Sequence, residues 1–215
     1  PLAPSALEMV DKHLLEFVVK NNGVKNYQAV VGEDAPVPEI LLFIEFDDLK
    51  DGQREKHVKK AIKLLQAIAS GAVVASDPDE QQKLWGIRHS AAAVVNYDQG
   101  GRASLPIIED GIVPLTAFRN FVSDVYELFA KNHLEAAIWG HAGDANIHLQ
   151  PLLDLRKTAD RQKVFKIMDE YYKLVLKYGG SIAAEHNDGR LRAPYVASPG
   201  GEEGGGGGAP VKTAL

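Results

Sequence analysis

The chain has 215 residues, with 24 Lys and Arg against 29 Asp and Glu, for a formal net charge of −5. Apolar residues make up 45% and charged residues 25%, a globular mixture long enough for one large domain or two small ones. A mildly acidic chain lacks the global electrostatics that hold nucleic acid or an anionic membrane. The absence of cysteine excludes disulfides, thiolate metal sites and cysteine nucleophiles within these residues.

No apolar run approaches the roughly 18–20 residues of a membrane helix. The longest strong run, Ile40 to Ile44, is strand-sized. The sequence opens on Pro1 with no signal-type charged and apolar regions behind it, so the chain is expected to be a piece of a longer protein. A cytoplasmic protein is expected, with peripheral membrane association of the full-length form as the alternative.

Met9, Val10, Leu14, Leu15, Phe17 and Val18 give Glu8 to Lys20 a helical stripe, stopped by Asn21-Asn22-Gly23. Residues 24–39 read as loop. Ile40 to Phe46 is nearly all apolar and reads as a buried central strand. A helix is expected from Arg54 to Ser70 and a short strand from Ala72 to Ala75. Ser76-Asp77-Pro78-Asp79-Glu80 combines a cap, a first-turn proline and acids at the positive dipole end, opening a helix to about Val95. Asp98 to Arg102 reads as loop. Ser104–Ile108 and Gly111–Val113 read as a short strand pair or one bent strand, then a helix follows over 116–132. Ala136–Trp139 and Asn146–Leu149 read as a hairpin across His141 to Ala145. A long helix spans Arg161 to Tyr178 and stops at Gly179-Gly180. Ser181 to Ala184 is a last strand, and loop follows from Glu185.

This order, β-α-β-α and then β-α-β-β-α-β, suggests an α+β fold, a duplicated ferredoxin-like plait whose antiparallel sheet carries helices on one face. A doubly wound parallel sheet competes less well, since no Gly-rich phosphate turn follows any strand. Residues 1–198 are expected to form the domain. From Pro199 the tail holds seven glycines (Gly200, Gly201 and Gly204 to Gly208) of the chain's 20, so 199–215 is expected to be mobile.

Three clusters carry polar chemistry. In Gly140-His141-Ala-Gly-Asp-Ala-Asn-Ile-His148, two histidines flank a turn between apolar strands. Paired strands would bring both imidazoles to one side, as a divalent ion requires; ordinary strand-end histidines are the other reading. In Glu185-His-Asn-Asp-Gly-Arg190, a polar burst follows an apolar strand; it is a site or a solvated loop. Its carboxylate would complete a His-His-Glu set suited to zinc or manganese. In Trp85-Gly-Ile-Arg88-His89, Arg88 could clamp a carboxylate, or pack over Trp85 and pair an acid.

Four segments, Leu84-Trp-Gly-Ile-Arg88, Ile108-Glu-Asp-Gly-Ile-Val-Pro114, Gly140 to His148 and Gly180-Ser-Ile-Ala-Ala-Glu-His186, occur in this order. With them the chain, over roughly residues 5 to 197, resembles the C-terminal domain of FAD-linked oxidases. That family includes D-lactate dehydrogenases, the glycolate oxidase FAD subunit and D-2-hydroxyglutarate dehydrogenase. The resemblance implies the substrate-binding cap of a flavin-dependent enzyme that oxidises a 2-hydroxy acid to the 2-oxo acid, with FAD held mainly by a separate N-terminal domain. It implies a divalent ion, zinc or manganese, on His141, His148 and Glu185. His186 would be the base for the substrate hydroxyl. Arg88 and Gln150 would meet the substrate, and Glu185 and Asn187 would lie against the cofactor. Its implied partners are the small hydroxy acid, the FAD-binding domain and an electron-acceptor subunit.

The chain departs from the family pattern at several points. Ala145 and Asn187 stand where glycines are usual, positions that can demand positive φ. A lysine that some members place before the strand at 104–108 is replaced by Arg102 as the nearest cation. The FAD domain and an Asn-Pro-Gly terminal helix are absent from this sequence. On its own the chain would then hold flavin poorly and turn over little. The alternative reading is a non-catalytic module that binds a carboxylate or a partner; a plain structural remnant is the third.

Overall fold

Asp11 is where the chain changes conformation. A computed structural model describes residues 2–18, 28, 36–94, 103–186 and 189–196. In it the chain divides into two compact units, Pro1–Val94 and Val95–Leu215. In the first unit, strand β1 (Ala6–Asp11) runs into helix α1 (Lys12–Val18). The Asp11 carboxylate accepts the Leu14 amide at 3.0 Å, an N-cap that ends the strand and starts the helix. The expected helix from Glu8 is thus corrected: residues 8–11 are strand. They are held by antiparallel pairing with β2 (Ile40–Glu45), in which Glu8 faces Phe43 and Met9 faces Leu42. Tertiary pairing overrides a stripe too short to nucleate a helix alone.

Helix α2 (Asp51–Leu65) follows, and then α3 (Pro78–Val94). The Asp77 carboxylate accepts the Asp79 and Glu80 amides, both at 3.0 Å, so the α3 start is capped as its sequence suggests. Helix α3 covers the face of β1 and β2 that carries Glu8, Phe43 and Glu45. Trp85 stacks on Phe43 at 5.9 Å and its indole N–H reaches Glu45 Oε1 at 3.4 Å. Two expectations fail here. Residues 72–75 form no strand; Val73 and Val74 are exposed and find no ladder. And β2 is not central: among the described residues it pairs with β1, and Ile40 and Leu42 are exposed.

The second unit is organised around β6 (Asn146–Leu153), to which, among the described residues, every other strand of this unit pairs antiparallel. These are β3 (Ala103–Ser104), β4 (Gly111–Ile112) and β5 (Ala136–Gly140). Helices α4 (Phe118–Lys131) and α5 (Thr158–Lys177) supply the rest of the core. Phe121, Val125, Ile138, Ile147, Leu149, Ile167, Met168 and Tyr171 are fully buried. At about 1.5–3 kcal/mol for each large apolar side chain, this core is the main force that fixes the hairpin end.

The strand expected at 104–108 is cut to two residues, Ala103–Ser104, because Pro106 offers no N–H to a ladder. Ser181 makes a single bridge to Ile112, and the strand expected to run to Ala184 stops there. Residues 189–196 form a short helix, α6 (Gly189–Val196), where loop was expected; Gly189 and the internal Pro194 disguise it. The expected tail at 199–215 and the loop at 98–102 lie outside the described residues. The class is the one expected: α+β, a duplicated ferredoxin-like plait with antiparallel strands and packed helices.

Candidate metal centre

The hairpin that carries both histidines closes through a single turn, Ala142–Asp144. Gly140 lets the two chains meet: a Cβ there would lie 2.6 Å from the Asn146 carbonyl oxygen and 2.8 Å from the Ile147 Cα. The amides of Asp144 and Asn146 both donate to the His141 carbonyl, at 3.0 and 3.2 Å. Ala145 takes a left-handed conformation, φ 55° and ψ 33°. The position that suggests a glycine in the sequence does adopt the conformation that favours one.

His148 lies opposite Trp139 in the β5–β6 ladder. His141 Nε2 and His148 Nε2 each stand 3.0 Å from Glu185 Oε1. One donor atom from each of the three residues lies within 4.8 Å of the others. Ligands about 2.0–2.2 Å from a tetrahedral ion stand roughly 3.3–3.6 Å apart, so the cluster is close to the size of a coordination shell. Both imidazole Nε2 atoms aim at one carboxylate oxygen. That arrangement suits a shared proton or a shared cation. His148 is buried, whereas Glu185 is 43% exposed and leaves one side accessible.

His186 stacks on His148 with ring centroids 4.8 Å apart and 12° between planes. Its Nε2 is 3.7 Å from Glu185 Oε1 and its Nδ1 3.4 Å from Glu109 Oε2. Gln150 is buried two residues along β6 from His148, so strand alternation puts both on one face. Asn187 lies outside the described residues.

Arg88 belongs to the other unit and is engaged there. Its Nε and Nη2 both donate to Glu8 Oε2, at 3.0 and 2.8 Å. This matches the acid-pairing alternative for that arginine; its role toward a substrate is taken up below.

Sequence reasoning missed Asp110. It is fully buried and left-handed, with φ 65°. Burial alone would raise its carboxyl pKa, but hydrogen bonds from the Ala184, Glu185 and His186 amides and from Asn146 hold it below the ordinary value. Ile108-Glu-Asp-Gly111 shows the signal: an acid just before glycine at a strand start. Its part becomes visible only when residues 184–186 fold back onto it.

Residues 1–212 match the family model of FAD linked oxidases, C-terminal domain. The chain is 26% identical over 199 residues to D-2-hydroxyglutarate dehydrogenase of Haemophilus influenzae, covering 88% of this chain and 19% of that protein. It is 27% identical over 199 residues to D-lactate dehydrogenase of Anaerostipes hadrus, covering 91% and 40%. It is 27% identical over 191 residues to glycolate oxidase subunit GlcD of Escherichia coli K12, covering 88% and 36%. The chain therefore spans less than half the length of these relatives. In fold it is similar to 4-ethylphenol oxidase from Gulosibacter chungangensis, solved as an isoeugenol complex, with TM-score 0.58 and 11% identity, covering 92% of this chain and 43% of that one. With its model matched across nearly the whole sequence, the chain belongs to the family of FAD linked oxidase C-terminal domains.

Proposed function

We propose that this chain is the substrate-binding part of a flavin-dependent dehydrogenase that oxidises a 2-hydroxy acid to the 2-oxo acid. The observation that carries the reading is the meeting of His141, His148 and Glu185 with His186 beside them. Three relatives whose names specify hydroxy acids, 2-hydroxyglutarate, lactate and glycolate, support the substrate class.

Two neutral imidazoles and one carboxylate are a fitting donor set for zinc or manganese, and the exposed side of Glu185 leaves room for substrate oxygens. His141, His148 and Glu185 would hold that ion, which lowers the pKa of a hydroxyl bound to it. FAD, held mainly by polypeptide outside this chain, would supply the two-electron oxidant for the C2 hydride, with Glu185 and Asn187 as its proposed contacts in this chain.

The chain's own residues do the rest. His186 takes the substrate hydroxyl proton. Glu109, at 3.4 Å from His186 Nδ1, orients that ring and favours a proton on Nδ1, leaving Nε2 to accept. Buried Gln150 offers an amide to the bound acid from the His148 face of β6. Arg88, whose Nε and Nη2 pair with Glu8, is the proposed contact for the substrate carboxylate. His148, packed against Trp139 at 5.8 Å, keeps water from the rear of the cluster.

The test is anaerobic reduction of the full-length protein. D-lactate, glycolate and D-2-hydroxyglutarate are added separately, and loss of the oxidised flavin's visible absorbance is followed before and after dialysis against a chelator. Bleaching by at least one acid, abolished by chelation and restored by zinc or manganese, is expected. A protein that purifies without flavin, or is reduced by none of the three, removes the proposal.

A further inference from the structure

Asp110 joins two stretches of chain that are far apart in sequence. Its Oδ2 accepts the Ala184 amide at 2.8 Å, the Glu185 amide at 3.2 Å and the His186 amide at 3.0 Å. Its Oδ1 accepts the Glu185 amide at 3.1 Å and the Asn146 side-chain amide at 3.2 Å. Arg192 Nη1 lies 3.7 Å from Oδ2 and donates to the neighbouring Glu109 carbonyl at 3.3 Å, putting a buried cation beside the buried acid.

Three consecutive amides turned toward one carboxylate are incompatible with strand pairing. This is why the chain leaves the sheet after Ser181 and why the Glu185 and His186 side chains emerge together. The second tie, through Asn146, reaches the hairpin between the two histidines. We propose that Asp110 is a positioning residue: one buried carboxylate that fixes the Glu185–His186 segment against the His141–His148 hairpin and so sets the spacing of the cluster. Asp110 touches neither substrate nor flavin; it acts through Glu185 and His186.

Hydrogen bonds to a charged acceptor are stronger than those between neutral groups, and an amide left unsatisfied when buried carries a comparable penalty. Ala184, Glu185 and His186 are exposed enough to exchange these bonds for water if the acid is lost. The penalty therefore falls on the order of the segment as well as on the fold, since buried Arg192 also loses its neighbouring acid. In metal sites, loss of a residue that orients a ligand typically lowers affinity 10- to 100-fold.

The inference rests on the proposed metal reading for its affinity readout, and amide exchange separates the two. The first variant is Asp110→Asn in the full-length protein; asparagine tolerates the left-handed backbone there. The expected result has two parts. Zinc affinity by calorimetry falls about 10- to 100-fold. Amide exchange at residues 184–186 accelerates at least about 10-fold, while the core amides of β6 keep their protection. Unchanged zinc affinity with a lowered melting temperature would assign Asp110 a structural part only and overturn the inference. If the unaltered protein binds neither zinc nor manganese, the metal reading falls alone, and exchange at 184–186 decides for Asp110. Should Asp110→Asn fail to fold, Asn146→Ala cuts only the hairpin tie. A several-fold loss of zinc affinity, or faster exchange at 184–186, supports the positioning role; neither effect overturns it.

Discussion

Arg88 and Glu8 form a two-pronged ion pair between α3 and β1, with both side chains only 11% exposed. Removing one partner from such a site strands the other charge away from water. Glu8→Leu alone, or Arg88→Met alone, should therefore destabilise the protein by about 3 kcal/mol or more. The joint replacement Glu8→Leu with Arg88→Met should cost far less than the sum of the single changes. Denaturant unfolding of the two single variants and the pair gives the coupling; additive losses would show that the two charges act independently.

Ala145 sets two effects against each other. A left-handed alanine costs roughly 1–2 kcal/mol, which glycine would relieve. Glycine also gives up a buried methyl, about 0.8 kcal/mol, and adds roughly 0.4–1 kcal/mol of unfolded-chain freedom. These nearly cancel, so Ala145→Gly should change stability by less than about 1 kcal/mol. Ala145→Val, branched and fully enclosed, should cost more than about 2 kcal/mol. The unfolding midpoints of both variants check the order.

His141 is one-third exposed and lies at a turn, so its loss should hardly touch the core. His141→Ala in the full-length protein should keep its melting temperature within a few degrees. Turnover should drop about 100-fold or more, because losing even the partner of a ligand can cost 10- to 100-fold. Steady-state kinetics beside a thermal scan tests this, and unaltered turnover would count heavily against a metal role.

Asp154 gives a pH dependence. Hydrogen bonds from the Arg156 guanidinium, aided by the Arg156 amide, hold its carboxyl at about 2. A depressed acid contributes stability above its unfolded pKa, near 3.9, and loses it as pH falls through the folded value. Between about pH 4 and pH 2 the protein should therefore lose stability more steeply than Asp154→Asn. Parallel slopes over that window would remove Asp154 from the account of acid unfolding.

Much of the second unit was legible because its signals are local. Glycines at 140 and 179–180, the apolar stripe of Phe121, Val125 and Phe129, and the two histidines across a short turn need no distant partner to be read. The misreadings share the opposite property. Met9 and Val10 carry a helical spacing, yet pairing with β2 makes them strand. Ser181 to Ala184 look like a strand, yet Asp110 draws the Ala184 amide out of the sheet together with those of Glu185 and His186. The Arg88 side chain could be assigned only a type of partner, since Glu8 comes from a distant stretch of sequence. Glu185 was legible as a polar group after an apolar run, but its 3.0 Å approach to both imidazoles is a property of the folded backbone.

Strand β2 presents Ile40 and Leu42 to solvent along a margin of the first unit. Oily side chains on a strand that, among the described residues, is paired along one edge form a template for another extended segment. When this stretch is expressed by itself, its behaviour in solution should depend on concentration. A lysine at Leu42, charged and still able to keep an extended backbone, is the conservative way to make it tractable.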